Sequence, residues 1–115
     1  MNSRQKGKRV EREAAAALSE VLGVPCRRGV QYQGGPGSPD VIGWAGVHVE
    51  VKGVERLNVY EAMAQSVRES GHGEVPIVLH KRNRSAWMVT VPLEWLRTLA
   101  DRLPARRVDG GGGGA

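Results

Sequence analysis

Two short motifs in the middle of the chain carry residue types that together hydrolyse phosphodiesters. Asp40 follows Pro39, and after a gap of nine residues comes Glu50-Val51-Lys52. Phosphodiester hydrolysis needs a nucleophilic water and a counter-charge for the transition state, and a divalent metal held by carboxylates supplies both. A lysine nearby orients the water or neutralises developing charge. The motifs therefore predict a hydrolytic site in which Asp40 and Glu50 hold a metal ion and Lys52 assists.

The motifs fall on segments whose alternation is typical of β-strands. Residues 40–44 and 47–52 predict a hairpin joined by a short turn. In the second strand the valines are expected on one face, and Glu50 and Lys52 on the other. Pairing of the strands would bring Asp40 and Glu50 within reach of one ion. The alternative interpretation is that Asp40 caps a turn while Glu50 and Lys52 form a surface ion pair.

A helix is predicted ahead of these strands, over residues 10–22. Its apolar residues recur at helical spacing, and Gly23-Val24-Pro25 ends it. Glu11 falls on the apolar stripe of this helix, between Leu18 and Leu22. A carboxylate on a face expected to be buried needs a reason. Glu11 is therefore singled out with the motif residues.

The remaining periodicities complete an α/β domain. A final helix is expected to start at Pro92 and to end at Pro104, with a stripe of leucines. The order αβββαββα predicts a mixed central β-sheet flanked by helices. The other predicted elements are strands over residues 27–33, 75–80 and 86–91 and a helix over residues 59–70.

Length and composition predict one domain that binds a polyanion. The 115 residues suffice for one core, over residues 1–104, whereas residues 105–115 contain five consecutive glycines and are expected to form a disordered tail. The net charge of +5 favours nucleic acid as a partner. The sequence has no apolar run of membrane-spanning length and no signal-peptide core, so a cytoplasmic protein is expected. The single cysteine, Cys26, predicts a reduced packing residue.

Several clusters of basic residues are candidate contacts to DNA phosphates, which confer affinity and salt dependence without sequence specificity. Tyr60, at the start of the second helix, is either a DNA contact or, slightly favoured, a packing residue. The glycine-rich loop over residues 33–38 is expected to be mobile. The candidate phosphate contacts are Arg4, Lys6, Lys8, Arg9, Arg27, Arg28, Lys81, Arg82 and Arg84.

The chain resembles the archaeal-type Holliday junction resolvases of the PD-(D/E)XK nuclease superfamily over about residues 4–97. The resemblance implies a restriction-endonuclease-like core and a mechanism that uses Mg²⁺ or Mn²⁺. It also implies a homodimer that resolves four-way DNA junctions with paired, symmetric cuts, in recombination and repair. The small, arginine-rich chain is compatible with a phage origin. The resemblance lies in Lys6-Gly7-Lys8-Arg9-Val10-Glu11-Arg12-Glu13, Arg27-Arg28 before a glycine-rich loop, Pro39-Asp40, Glu50-Val51-Lys52, Tyr60 with Gln65, and residues 92–96.

Residue by residue, the resemblance implies a metal centre around the two motifs. It assigns Asp40, Glu50 and the backbone carbonyl of Val51 to the metal, and Lys52 to the attacking water. Glu11 would join this centre as a further acidic residue. The motif residues are thereby given the same roles that their chemistry suggests.

Two further residues have roles only through the resemblance. Ser38 matches a loop serine that contacts the scissile region. Gln65 would hydrogen-bond near the metal-bound water or the phosphate, with an exposed helix residue as the alternative. The chain is shorter than typical family members, its loop between Gly29 and Pro39 differs in composition, and its C-terminus is polyglycine. These differences bear on the choice of DNA substrate.

Other interpretations remain open at this point. The chain is alternatively another nuclease of the same superfamily that acts on flaps, nicks or duplex DNA, or a non-catalytic DNA-binding module. No histidine is expected to be catalytic, because the three histidines have no metal-ligand spacing and the metal site already has its carboxylates. His48 shares the strand face of Glu50 and Lys52 and so could lie near the site, but it is expected to pack or to face solvent. The three tryptophans are expected to be core or interface anchors. The apolar final helix is a candidate dimer interface.

Overall fold

A computed structural model of the chain describes residues 3–30 and 37–106, without the side chains of Ser3 and Arg4. The order of elements is the predicted one. The helices are α1 (Ser3–Leu22), α2 (Val59–Glu69) and α3 (Leu96–Asp101), with a short 3₁₀ turn at Leu93–Trp95 before α3. The strands are β1 (Arg27–Arg28), β2 (Val41–Ile42), β3 (Val47–Gly53), β4 (Val75–Lys81) and β5 (Met88–Thr90).

The five strands form one mixed sheet in the order β1-β2-β3-β4-β5. The pairs β1–β2, β2–β3 and β4–β5 are antiparallel, whereas β3 and β4 are parallel. The parallel pair requires a crossover connection, which α2 provides. The predicted α/β class, with a mixed sheet flanked by helices, is confirmed.

Helices cover both faces of the central strands. The helix α1 packs over β1 and β3, and α2 packs over β3 and β4. On the α1 side, Ala14 and Leu18 meet the valines of β3 in the main apolar core. On the α2 side, Ser66 is buried and donates a hydrogen bond of 2.9 Å to the carbonyl of Ile77. Because both faces are covered, the polar residues His48 and Glu50 of β3 are buried as deeply as its valines.

Several helices and strands begin or end at residues other than the predicted ones. The helix α1 begins at Ser3 rather than at Val10, because the polar residues before Val10 continue the helix without an apolar periodicity that would predict it. The strand β2 is only two residues long. It ends at Gly43, whose φ of +123° disfavours other residues and where a Cβ would lie 2.4 Å from the carbonyl oxygen of Pro25.

The C-terminal helix is shorter than predicted. Pro92 precedes a 3₁₀ turn, and the α-helix begins only at Leu96. Of the leucine stripe, Leu99 alone is buried, whereas Leu93 and Leu96 are exposed. The leucine stripe predicted from the sequence therefore contains exposed leucines as well as one that packs in the core.

Two predictions fall outside the described part of the chain. Most of the predicted mobile loop, residues 33–38, and nearly all of the predicted disordered tail, residues 105–115, fall within residues 31–36 and 107–115, which the structure does not describe. The described helices include none that is long and apolar enough to cross a membrane.

Candidate metal centre

Asp40 is held from both sides at the start of β2. Its backbone N–H donates to the carbonyl of Val49 at 2.9 Å, and its own carbonyl accepts from the N–H of Gly29 at 2.8 Å. The chain passes so close at Gly29 that a Cβ there would lie 2.3 Å from the carbonyl oxygen of Pro39. The carboxylate of Asp40 then reaches across the hairpin and accepts the N–H of Val51 at 2.8 Å. Asp40 is thus fixed against the strand that carries the second motif.

Glu50 lies in the middle of β3 with 2% of its surface exposed. Its Oε1 lies 2.7 Å from Nε2 of His48. Its carboxyl is also hydrogen-bonded to the carboxyls of Asp40 and Glu69. The alternative in which Glu50 forms a surface ion pair with Lys52 is wrong, because Glu50 is buried.

Burial and mutual contact shift the pKa values of these carboxyls. Burial raises the pKa of Glu50 to about 8, and the hydrogen bond to Glu69 adds to the shift. Burial also raises the pKa of Asp40 to about 7, with the charge of Glu50 adding to it and the Val51 N–H opposing it. The hydrogen bond from Glu50 lowers the pKa of Glu69. Glu50 therefore holds a proton more tightly than an ordinary carboxyl does, and a divalent cation bound there would have to displace that proton.

Lys52 points to the same side of β3 as Glu50 and is held by α2. Its Nζ donates to Oε1 of Gln65 at 2.9 Å. The amide of Gln65 in turn donates to Oε1 of Glu69 at 3.4 Å. The chain of contacts Lys52–Gln65–Glu69–Glu50 therefore links the lysine of the second motif to its carboxylate through one face of α2. Gln65 is not the exposed helix residue of the alternative interpretation.

Glu11 lies near Asp40 but has a partner of its own. Its Oε2 accepts a hydrogen bond of 2.8 Å from Nε of Arg28, and both side chains are mostly buried. Burial raises the pKa of Glu11, the Arg28 hydrogen bond opposes this, and the charge of Asp40 adds to the rise. Glu11 is thus within electrostatic reach of Asp40, and Arg28, a predicted phosphate contact, is occupied by Glu11.

One group of side chains in the described residues offers three potential metal ligands within 4.8 Å of one another, namely His48, Glu50 and Glu69. The set predicted from sequence, Glu11, Asp40 and Glu50, does not form such a group. The donors of this part of the fold are mainly carboxylate oxygens, as Mg²⁺ and Mn²⁺ prefer. His48 is fully buried, and its Nδ1 has no hydrogen-bond partner among the described residues. The residues present fit a hard divalent cation.

Sequence reasoning missed Glu69 and the contact of His48. Glu69 follows Gln65 by four residues on a predicted helix, a spacing that puts both on one face. His48 alternates with Glu50 in a predicted strand, so both were expected on the same side. The contact of His48 with Glu50 lies within β3, whereas the contact of Glu69 with Glu50 depends on the docking of α2 onto β3.

The other predicted residues differ in their exposure. Tyr60 is 86% exposed, so the interpretation of Tyr60 as a packing residue is wrong. Ser38 is half-buried just before Pro39-Asp40, and Cys26 packs against the core as expected. Trp44 is buried in the core, and Trp87 and Trp95 pack against it. The remaining candidate phosphate contacts in the described part of the chain are Lys6, Lys8, Arg9, Arg27, Lys81, Arg82 and Arg84.

Comparison of the sequence with models of protein families, with curated proteins and with solved structures finds no match in any of the three.

Proposed function

We propose that this chain is a metal-dependent DNA endonuclease with a restriction-endonuclease-like core. The observation that carries the proposal is the convergence of Asp40, Glu50 and Lys52 on a β-hairpin. The two carboxyls are in contact, and burial raises the pKa of both. A binding module without catalysis gives no reason to place two acids in contact beside a lysine, with Glu50 fully buried, since burial of such a charge is costly.

The residues have separable roles in hydrolysis. Asp40 and Glu50 would hold Mg²⁺ or Mn²⁺ together with the backbone carbonyl of Val51, while Glu11 contributes negative charge from the side of α1. The bound ion supplies a water of lowered pKa and a counter-charge for the phosphorane. The ammonium of Lys52, which Gln65 positions, orients the water or stabilises the transition state. Ser38 would lie near the scissile phosphate.

The proposed substrate is a four-way DNA junction, cut by a homodimer. A single centre cuts one strand, so paired cuts need two centres related by a twofold axis. The net charge of +5 suits a DNA partner. The exposed leucines of the α3 region, Leu93 and Leu96, form the proposed dimer contact. The proposed roles in recombination and repair and the resolvase assignment depend on the motif resemblance.

Cleavage of matched DNA substrates tests the proposal. The wild-type protein is incubated with Mg²⁺ and a fixed four-way junction, a flap, a nicked duplex or a plain duplex of the same sequence. We expect symmetric paired cuts in the junction and little cutting of the duplex. Preferred cutting of flaps, nicks or duplex would support a different nuclease of the same superfamily.

The variant Asp40→Asn tests the centre itself. It removes the charge but keeps the shape, so we expect junction binding to persist and cleavage to fall by several orders of magnitude. Cleavage at the wild-type rate would exclude Asp40 as a metal ligand. If the wild type cuts none of the branched substrates with Mg²⁺ or Mn²⁺ while binding them, the chain is a DNA-binding module.

A further inference from the structure

A groove of about 270 Å³ lies at the carboxyl ends of the two parallel strands β3 and β4. Gly53 and Lys81 are the last pair of that parallel register. Ligands of open α/β sheets commonly bind at the carboxyl ends of parallel strands. Four cationic side chains from two separate parts of the chain line the groove: Lys6, Arg9, Lys81 and Arg82.

The walls of the groove are fixed by close packing. A Cβ at Gly53 would lie 2.7 Å from Cγ1 of Val10, so α1 rests directly on the end of β3. The ammonium of Lys81 lies 5.6 Å from the centroid of the Trp87 ring, a cation–π distance that holds the cation in place. The N–H of Asn83 donates to Glu55 at 3.0 Å and ties down the turn after β4.

The charge of the groove is unbalanced. Two carboxylates, Glu13 and Glu55, line it beside the four cations, which leaves an excess of two positive charges. Glu13 lies 3.8 Å from Arg9, and Glu55 accepts a hydrogen bond from the N–H of Asn83. Lys6 is exposed and has no ion-pair or hydrogen-bond partner in the described chain. Cations held close together with too few carboxylates favour an anion with several acceptor oxygens.

We propose that this groove binds one backbone phosphate of the DNA substrate, separate from the scissile phosphate. The ligand class rests on the proposed nuclease function. Lys52 and Gly53 are neighbours in β3 and point to opposite faces, so the groove and the metal centre lie on either side of the same strand end. A DNA strand that crosses this end meets both. The groove thus acts as an anchor that sets the position of the DNA relative to Lys52.

The test measures binding without cleavage. Lys6 and Arg82 are exposed and lie on different elements, so Lys6→Gln, Arg82→Gln and their double variant should fold. The matched control is the double variant Arg56→Gln with Arg97→Gln, which removes the same charge from exposed positions outside the groove. Fluorescence anisotropy gives the Kd for a labelled four-way junction and a matched duplex in EDTA, at salt concentrations from about 50 to 200 mM.

One shared phosphate makes a specific prediction. Each phosphate contact contributes about 0.9 to the magnitude of the slope of log K against log salt concentration. If Lys6 and Arg82 share one phosphate, the slope of the double variant should be smaller in magnitude than that of the wild type by about 0.9. The Arg56/Arg97 control should keep the wild-type slope. A loss of about 1.8 would mean that Lys6 and Arg82 each meet their own phosphate, and would overturn the single-phosphate groove.

Two further results would also overturn the groove. One is a double variant whose slope and Kd equal those of the control, and the other is a wild type that binds neither DNA. The proposed nuclease function fails on a different result, the absence of cleavage by the wild type with Mg²⁺. That result leaves the binding comparison in EDTA intact.

Discussion

Nε2 of His48 lies 2.7 Å from Oε1 of Glu50 in the interior between β3 and α2. Burial lowers the pKa of His48, so the ring is neutral near pH 7. When Glu50 is ionised, Nε2–H donates to Oε1, which fixes the rotation of the carboxylate. A fixed carboxylate is a better metal ligand, since outer partners of a ligand orient it. We therefore expect His48 to act as a positioning residue for Glu50.

Replacement of His48 by leucine removes the donor at similar volume. We expect the half-saturating Mn²⁺ concentration to rise by about 10–100-fold, because an outer partner of a metal ligand is lost. The free energy of unfolding in EDTA should fall by about 1–3 kcal/mol at pH 7, since Glu50 loses a buried hydrogen-bond partner. Isothermal titration calorimetry and urea unfolding measure the two effects.

A matched pair of variants separates positioning from packing. His48→Gln keeps an N–H donor and should recover part of the Mn²⁺ affinity, whereas His72→Gln, at an exposed position, should change neither quantity. If His48→Leu and His48→Gln bind Mn²⁺ as tightly as the wild type, His48 does not position Glu50.

The raised pKa values of Asp40 and Glu50 predict an unusual dependence of stability on pH. Both groups start from ordinary values, 3.8 and 4.5, and rise to about 7 and about 8 in the folded chain. Because the folded state holds these protons more tightly, their contribution is fully present below about pH 4 and is lost as the pH rises through 7 and 8. In EDTA, the free energy of unfolding should therefore fall by several kcal/mol between pH 5 and pH 8.5, with Glu50 contributing more than Asp40.

Neutral substitutions and metal supply the controls for this pH effect. Asp40→Asn and Glu50→Gln should each flatten the profile and be more stable than the wild type at pH 8.5 without metal. Millimolar Mg²⁺ should raise the free energy of unfolding of the wild type at pH 8.5, because the ion binds only the folded centre. Profiles of equal slope for the wild type and both variants would show that these carboxyls titrate normally.

Local sequence rules predict β3 and α2 of this fold to within one residue, but not the start of α1 or the length of β2. The valine alternation of β3 predicts nearly the whole strand because every second side chain meets the α1 core. The start of α1 could not be predicted in the same way. Its first residues form a helix but are polar, so no apolar periodicity marks them.

The candidate site was predictable only in part for a similar reason. Asp40, Glu50 and Lys52 belong to one hairpin, whose geometry follows from local alternation. Glu69 belongs to α2, and its contact with Glu50 depends on how a helix 11 residues long is placed over the sheet. The partner of Glu11 likewise depends on the position of β1, which no spacing in the sequence specifies.

Gln65 provides a test of how Lys52 is positioned. Gln65→Leu removes the acceptor that holds Lys52 Nζ at 2.9 Å, so the ammonium should lose its fixed place. We expect kcat for junction cleavage to fall by about 10–100-fold, the range for loss of a supporting partner. The Kd for Mn²⁺ should change much less, since neither Asp40 nor Glu50 loses its contacts.

A control on the same helix accounts for effects on α2 itself. Arg68→Leu changes an exposed residue of α2 and should leave kcat within about twofold of the wild type, as expected of surface substitutions. An unchanged kcat in Gln65→Leu would indicate that Lys52 acts without this support. An equal loss in both variants would indicate a general disturbance of α2.

The exposed leucines after β5 test the proposed dimer. Leu93 is 84% and Leu96 51% exposed in the single chain, so replacement of both by glutamate should barely alter the thermal midpoint of the monomer. In a dimer joined through this surface, the same change buries four unpaired charges and should dissociate it. Sedimentation velocity at micromolar concentration should show the wild type as a dimer and Leu93→Glu/Leu96→Glu as a monomer.

The products of cleavage connect this assembly to the reaction. On a supercoiled plasmid with an extruded cruciform, a dimer cuts two strands in one encounter and gives linear DNA, whereas a monomer gives nicked circles. The double glutamate variant should therefore shift the product from linear to nicked. The control Val21→Glu, at an exposed site on α1, should keep both the dimer and the linear product. If the wild type yields linear DNA but sediments as a monomer, paired cutting does not depend on a dimer formed through Leu93 and Leu96.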